Sequence, residues 1–86
     1  MAIAYVLINS DLGSDETIIS GAKDILSAHP EIQYEIQGVY GVFDVVLKLI
    51  SEDAANLRSV ITNKIRRIPQ VQSTLTMMVI DEQEKS

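Results

Sequence analysis

Two periodicities alternate along this 86-residue chain. From Ala2 to Asn9, Ile3, Tyr5 and Leu7 point to one side of an extended segment and Ala4, Val6 and Ile8 to the other. A strand that is apolar on both sides predicts a central place in a sheet. After the Asp11–Ser14 loop the period changes. Ile18, Ala22, Ile25 and Leu26 recur at helical spacing behind Ser14, with Asp15 and Glu16 in the first turn, where the helix dipole favours acidic groups. Pro30 stops that helix. Glu31–Gly38 then alternates, with Ile32, Tyr34 and Ile36 against Gln33, Glu35 and Gln37, which predicts a half-exposed strand near an edge.

The run Val39–Ile50 is the stretch around which the rest is arranged. Gly41 tolerates backbone angles that a Cβ resists, so it marks a turn or bulge. Beyond it Phe43, Val45, Leu47 and Leu49 share one face, while Val42, Asp44, Val46, Lys48 and Ile50 share the other. Asp53 is the expected cap of a second helix, whose stripe of Leu57, Val60, Ile61, Ile65 and Ile68 ends at Pro69. Val71–Asp81 is the last strand, and residues 82–86 form a frayed polar tail to a single domain spanning 1–81.

The order is βαββαβ, and its halves repeat. Pro30-Glu31-Ile32-Gln33 returns as Pro69-Gln70-Val71-Gln72, and the same offset carries Ile18 onto Leu57 and Ala4, Val6 and Ile8 onto Phe43, Val45 and Leu47. Such a pattern predicts an α+β, ferredoxin-like fold: a four-stranded antiparallel sheet with both helices on one face. The other face then carries Ile3, Tyr5, Leu7, Val42, Val46 and Ile50, with Asp44 and Lys48 among them and Thr74, Thr76, Met78 and Ile80 on the last strand. That surface is too apolar to face water. Two sheets are therefore expected to pack face to face, in the manner of a dimeric αβ-barrel, with a homodimer the simplest solution.

Composition narrows the chemistry. A 47% apolar content argues against disorder, and the lack of cysteine excludes disulfides and thiol catalysis. No apolar run is long enough for a bilayer and no charged leader opens the chain, so a cytoplasmic protein without membrane contact is expected. A net charge of −5 disfavours direct nucleic-acid binding; Lys64, Arg66 and Arg67 fit the last turn of a helix. His29 stands alone before Pro30 as a surface capping residue, and no triad, phosphate loop or metal-spaced cluster is present, so neither an enzyme nor a cofactor is expected. Asp44 differs, because a carboxylate beside an apolar interface needs a partner. Lys48 is too distant along the strand. An interchain pair with Lys48, hydrogen bonds from loop amides, or the ammonium group of a ligand would each serve. Tyr40 suits a pocket wall or turn packing.

Tyr40-Gly41-Val42-Phe43-Asp44 and the following strand, together with Ile68-Pro69 and Gln70–Thr76, resemble the effector-binding (RAM) domain of the Lrp/AsnC family over essentially the whole chain. The family's regulators carry a helix-turn-helix ahead of this domain; here the chain opens on the first strand, so the resemblance implies a stand-alone module without DNA binding of its own. It also implies a small amino-acid ligand held between dimers near the Gly-x-x-Asp turn. Dimers would assemble into octamers or similar rings, or pair with full-length regulators. Carried over, the ligand-binding residues are Tyr40, Gly41, Val42, Asp44, Thr74 and Thr76. Tyr40 stands where the family often has Thr, so the choice of amino acid does not transfer.

Three other readings share the element order. An ACT-type regulatory domain is matched only faintly, by Leu12-Gly13. A small dimeric αβ-barrel enzyme would need a pocket of His, Asn or Trp, and this chain has no Trp. A ligand-free assembly module is separated poorly from the first reading.

Overall fold

The computed structural model describes residues 1–79. The elements are β1 (Ala2–Ser10), α1 (Asp15–Ser27), β2 (Gln33–Gly38), β3 (Val45–Ser51), α2 (Ala54–Asn63), a 3-10 turn (Ile65–Arg67) and β4 (Val71–Met78). The strands form one antiparallel sheet in the order β2-β3-β1-β4, which is the ferredoxin-like arrangement anticipated from the repeat. The doubly apolar β1 and β3 are central, and the alternating β2 is an edge. The polar tail at 82–86 and Ile80 lie outside the described residues.

One core lies between sheet and helices. Ala4, Val6 and Ile8 pair across β1 and β3 with Leu49, Leu47 and Val45, and all six side chains are fully buried. Ile18, Ala22 and Leu26 of α1 and Leu57, Val60 and Ile61 of α2 close over them. Asp53 caps α2 as expected: its Oδ1 accepts from the backbone N–H of Ala55 (3.0 Å) and Asn56 (3.1 Å). Ser14 occupies the N-cap place of α1 but makes no side-chain capping bond. The second apolar stripe does not run through one helix. At Lys64 the backbone leaves α geometry (φ −124°, ψ −55°); Ile65 reaches the core from the tighter 3-10 turn and Ile68 from the extended residue that follows it.

Two expectations about faces need correction. Val42 and Asp44 are not on a strand, because the backbone N–H of Val39 closes on the Asp44 carbonyl at 2.9 Å and β3 begins only at Val45. The last strand is turned over relative to the repeat. Thr74, Thr76 and Met78 pair with Ile8, Val6 and Ala4, so they lie on the helix side. Ser73, Leu75 and Met77 pair with Asn9, Leu7 and Tyr5 on the outer side. The cause is a bulge. Ser10 faces Val71 and Asn9 faces Ser73, so Gln72 is an extra residue, and one extra residue exchanges the two faces of a strand. Gln70, at φ +73° the one positive-φ residue other than glycine among the described residues, leads the chain into this bulge.

The outer face therefore combines Ile3, Tyr5 and Leu7 of β1, Val46 and Ile50 of β3, and Leu75 and Met77 of β4. Leu75 and Met77 remain about half exposed, at 49% and 47%. Val79 extends the row through a bond from its N–H to the Ile3 carbonyl. The polar residues here are Gln33, Glu35 and Gln37 of β2, opposite Ile50, Lys48 and Val46 of β3, with Lys48 itself and the Asn9–Ser73 pair at the end of β1 and β4. Lys48 lies 6.0 Å from the Tyr5 ring centroid, a cation–π distance.

Candidate functional site

The loop from β2 to β3 is built around two backbone bonds. Val39 N–H donates to the Asp44 carbonyl, and Asp44 N–H donates to the Ile8 carbonyl at 3.0 Å. Between them the chain reverses through Gly41 at φ +134°, a conformation that costs little without a Cβ. A Cβ there would touch nothing within 4 Å, so the glycine answers a backbone need and not a packing one. The N–H groups of Tyr40, Gly41, Val42 and Phe43 donate to no backbone carbonyl among the described residues. Tyr40 is fully exposed and Val42 nearly so.

The Asp44 side chain finds its partner inside the chain, at Ser10. Its Oδ2 accepts from the Ser10 N–H at 2.9 Å and from the Ser10 hydroxyl at 3.2 Å. Of the partners foreseen for this carboxylate, a backbone amide is thus present, but it comes from the end of β1 and not from the loop. Oδ1 accepts no hydrogen bond among the described residues. The pair ties the β2–β3 loop to the strand end, which is itself held to β4 by the Asp11 N–H donating to the Gln70 carbonyl at 2.9 Å.

An open cleft of about 530 Å³ lies beside this turn, lined by Asp15, Gly38, Val39, Tyr40, Gly41 and Asp44. Two acidic side chains face it, Asp15 from the first turn of α1 and Asp44, and its lining includes no basic one. Of the residues singled out in the sequence, Tyr40, Gly41 and Asp44 are brought together here, with Val42 at the tip of the same loop. Thr74 and Thr76 are not. They sit on the helix side of β4, two strands from β3, and Thr76 lines a separate cavity with Arg58, Ile61, Thr62, Arg66 and Met78. Ser10, Asp15, Gly38 and Val39 were not singled out as site residues. Ser10 carries no local signal, since its contact to Asp44 spans 34 residues. Asp15 was legible only as a first-turn residue and Gly38 only as the end of a strand, which say nothing of the cleft between them.

The chain matches the family model described as the Lrp/AsnC ligand binding domain over residues 3–86. No curated protein sequence matches it. Among solved structures it is similar to FFRP-DM1, with 32% identity and a TM-score of 0.75 over 93% of this chain and 100% of that one. It is similar at the same identity to the hypothetical protein PHS023 from Pyrococcus horikoshii, with a TM-score of 0.74 over 96% of this chain and 94% of that one. It shares the fold of the transcriptional regulator NMB0573 from Neisseria meningitidis, solved as a complex with L-Met, at 14% identity and a TM-score of 0.70. There the match covers 99% of this chain and 53% of that regulator. With a family model spanning nearly the whole length and two solved relatives at 32% identity, this chain belongs to the Lrp/AsnC ligand-binding domain family, the effector-binding part of a group of transcriptional regulators.

Proposed function

We propose that this domain senses a small amino acid at the Gly41–Asp44 turn and works as an assembly of sheet-paired dimers. The observation that carries the ligand reading is the pairing of unused groups at one end of the cleft. Among the described residues, the N–H groups of Tyr40 and Gly41 in its lining, and of Val42 and Phe43 further along the same loop, have no backbone partner, and Asp44 keeps one carboxylate oxygen uncommitted. Consecutive amides in a turn suit a carboxylate, and the free Asp44 oxygen suits an ammonium group. An α-amino acid carries both on one carbon. The acidic lining favours the ammonium end and disfavours ligands with anionic side chains.

The outer sheet face supports the dimer reading. Apolar side chains from three adjacent strands form a continuous surface, and the polar β2 bounds it on one side. A second copy about a twofold axis covers such a patch with its own. Tyr40 and Val42 project from the turn without intrachain cover, which suits a contact made by a further dimer across the cleft. Thr74 and Thr76 join this ligand site only from a neighbouring copy. The ligand then acts by its differential affinity for the assembled and dissociated states. That would link amino-acid concentration to oligomer size, or to pairing with a longer regulator of the same family. An L-Met complex in the distant regulator NMB0573 agrees with this class of effector.

The experiment is titration calorimetry with a panel of small amino acids. Wild-type protein should bind at least one, and Asp44→Asn, which keeps an acceptor for Ser10 but removes the charge, should weaken that binding at least tenfold. Absence of binding across the panel refutes the sensing role; equal binding by Asp44→Asn moves the site elsewhere. A ligand-free assembly module is the second reading. It is favoured by the open side of the cleft in a single chain, and would show oligomers whose size no amino acid changes.

A further inference from the structure

We infer that Glu35 and Lys48 select the partner of the outer sheet face: in the dimer, Lys48 of each chain pairs with Glu35 of the second copy. This rests on the sheet-paired dimer proposed above and adds to it which chains can pair. Among the outward side chains of the four described strands, Lys48 is the one cation and Glu35 the one anion. They stand directly opposite each other on β3 and β2. Opposite charges at facing positions of neighbouring strands attract. Within one chain, however, the two do not meet. Lys48 makes no ion pair with a carboxylate among the described residues. It leans instead toward β1, where Tyr5 is its facing residue and the ring centroid lies 6.0 Å from its ammonium group.

The surface beside the two charges is hollow. A depression of about 130 Å³ is lined by Tyr5, Glu35, Gln37, Val46 and Lys48. That volume takes roughly four waters at 30 Å³ each, or one inserted side chain. Lys48 is half buried already in the single chain, whereas Glu35 is exposed.

A second sheet laid over this face takes both groups out of water. An ammonium or carboxylate buried without a partner is costly. The chain's own Glu35 is available to Lys48 before association and is not taken. About a twofold axis each surface meets its own copy, so the anion that arrives with the second sheet is again Glu35. The apolar remainder of the face is non-directional and accepts any similar sheet. The charged pair is not so tolerant. A relative with like charge at either place is repelled, and one without charge leaves Lys48 and Glu35 unpaired. The pair therefore favours a second copy of this chain, or a longer relative that keeps both charges.

The test is native mass spectrometry and sedimentation velocity of the full chain at tens of micromolar. The proteins are wild type, Glu35→Lys, Lys48→Glu and the double variant Glu35→Lys/Lys48→Glu. Each single variant brings like charges together and should weaken its homodimer at least about tenfold. Both side chains point away from the core, so the far-ultraviolet spectra should not change. An equal mixture of the two single variants should associate again, with one chain of each kind in the particle. The double variant should pair with itself as wild type does and exchange poorly with wild type. A wild type of one chain mass refutes the sheet-paired dimer itself. With a dimeric wild type, single variants that pair as tightly, or a mixture that fails to associate, overturn this inference alone. Free exchange between the double variant and wild type also overturns it, because the pair then forms within each chain.

Discussion

Asp44→Ala is the most informative change to stability. The carboxylate takes two hydrogen bonds from one residue, the Ser10 N–H at 2.9 Å and the Ser10 hydroxyl at 3.2 Å, both in partly buried surroundings. A hydrogen bond to a charged group contributes about 1.5–3 kcal/mol when water is kept away, and less where water replaces the lost partner. Half-buried geometry and two bonds sharing one oxygen place the loss at about 1–2 kcal/mol. A domain of this size has a urea m-value of about 1 kcal/mol per M, so the unfolding midpoint should fall by roughly 1–2 M. Asp44→Asn keeps a neutral acceptor and should lose about 0.5 kcal/mol. Ser10→Ala removes the hydroxyl bond alone and should also cost about 0.5 kcal/mol. The double variant Ser10→Ala/Asp44→Ala should be more stable than the sum of the singles by about 0.5 kcal/mol, because the two share one interaction. All variants are compared by urea melts followed by circular dichroism at one protein concentration, since association itself adds stability. A midpoint shift below about 0.3 M for Asp44→Ala, which at this m-value is about 0.3 kcal/mol, refutes the tie between the turn and β1.

Three further outcomes follow from local geometry. Asp53→Ala removes both capping bonds of α2 and should cost about 1 kcal/mol in the same melts, with Asp53→Asn close to wild type. Gly41→Ala meets no steric neighbour, so its cost of about 1 kcal/mol is backbone strain at φ +134°; a neutral result would mean the turn relaxes freely. Glu31 is held below the ordinary glutamate range, chiefly by the Asn56 amide donating to it at 2.8 Å, then by its own backbone N–H and by His29. Its folded pKa is depressed, so what it adds to stability is present above the unfolded value and fades as pH falls through the folded one. In an NMR titration its carboxyl should titrate below a free glutamate, and Asn56→Ala should raise the midpoint.

Element order, the central strands and the helix stripes were legible because each rests on local period. Ala4, Val6 and Ile8 could be read as core without knowing what they touch, and the repeat gave Val45 and Leu47 as their equivalents in the second half, while Phe43, the equivalent of Ala4, lies in the loop before β3 and outside the buried core. What failed depended on one residue. Carrying the repeat through the last strand puts Thr74 and Thr76 on the outer face, and the extra residue at Gln72 reverses that placement. Nothing local announces that bulge; Gln70 takes a positive φ without being glycine or asparagine. The alternation through Val42, Phe43 and Asp44 looked like strand, yet a backbone bond from Val39 to Asp44 makes it a loop. The turn and its carboxylate were legible as a candidate site, since glycine and an acidic residue at a strand mouth are local features. The Ser10 partner was not, because periodicity carries no information about which distant residues meet.

The account rests most heavily on the outer sheet face being covered by a second copy. Sedimentation velocity at tens of micromolar, wild type against Leu7→Glu, tests this most directly. Leu7 faces Leu75 and Val46 across the middle of the apolar surface and lies on the side away from the core. Wild type should sediment at twice the 9.5 kDa chain mass or a multiple of it, and Leu7→Glu should sediment as a folded single chain with an unchanged far-ultraviolet spectrum. A wild-type particle of one chain mass, or a Leu7→Glu particle as large as wild type, would contradict it.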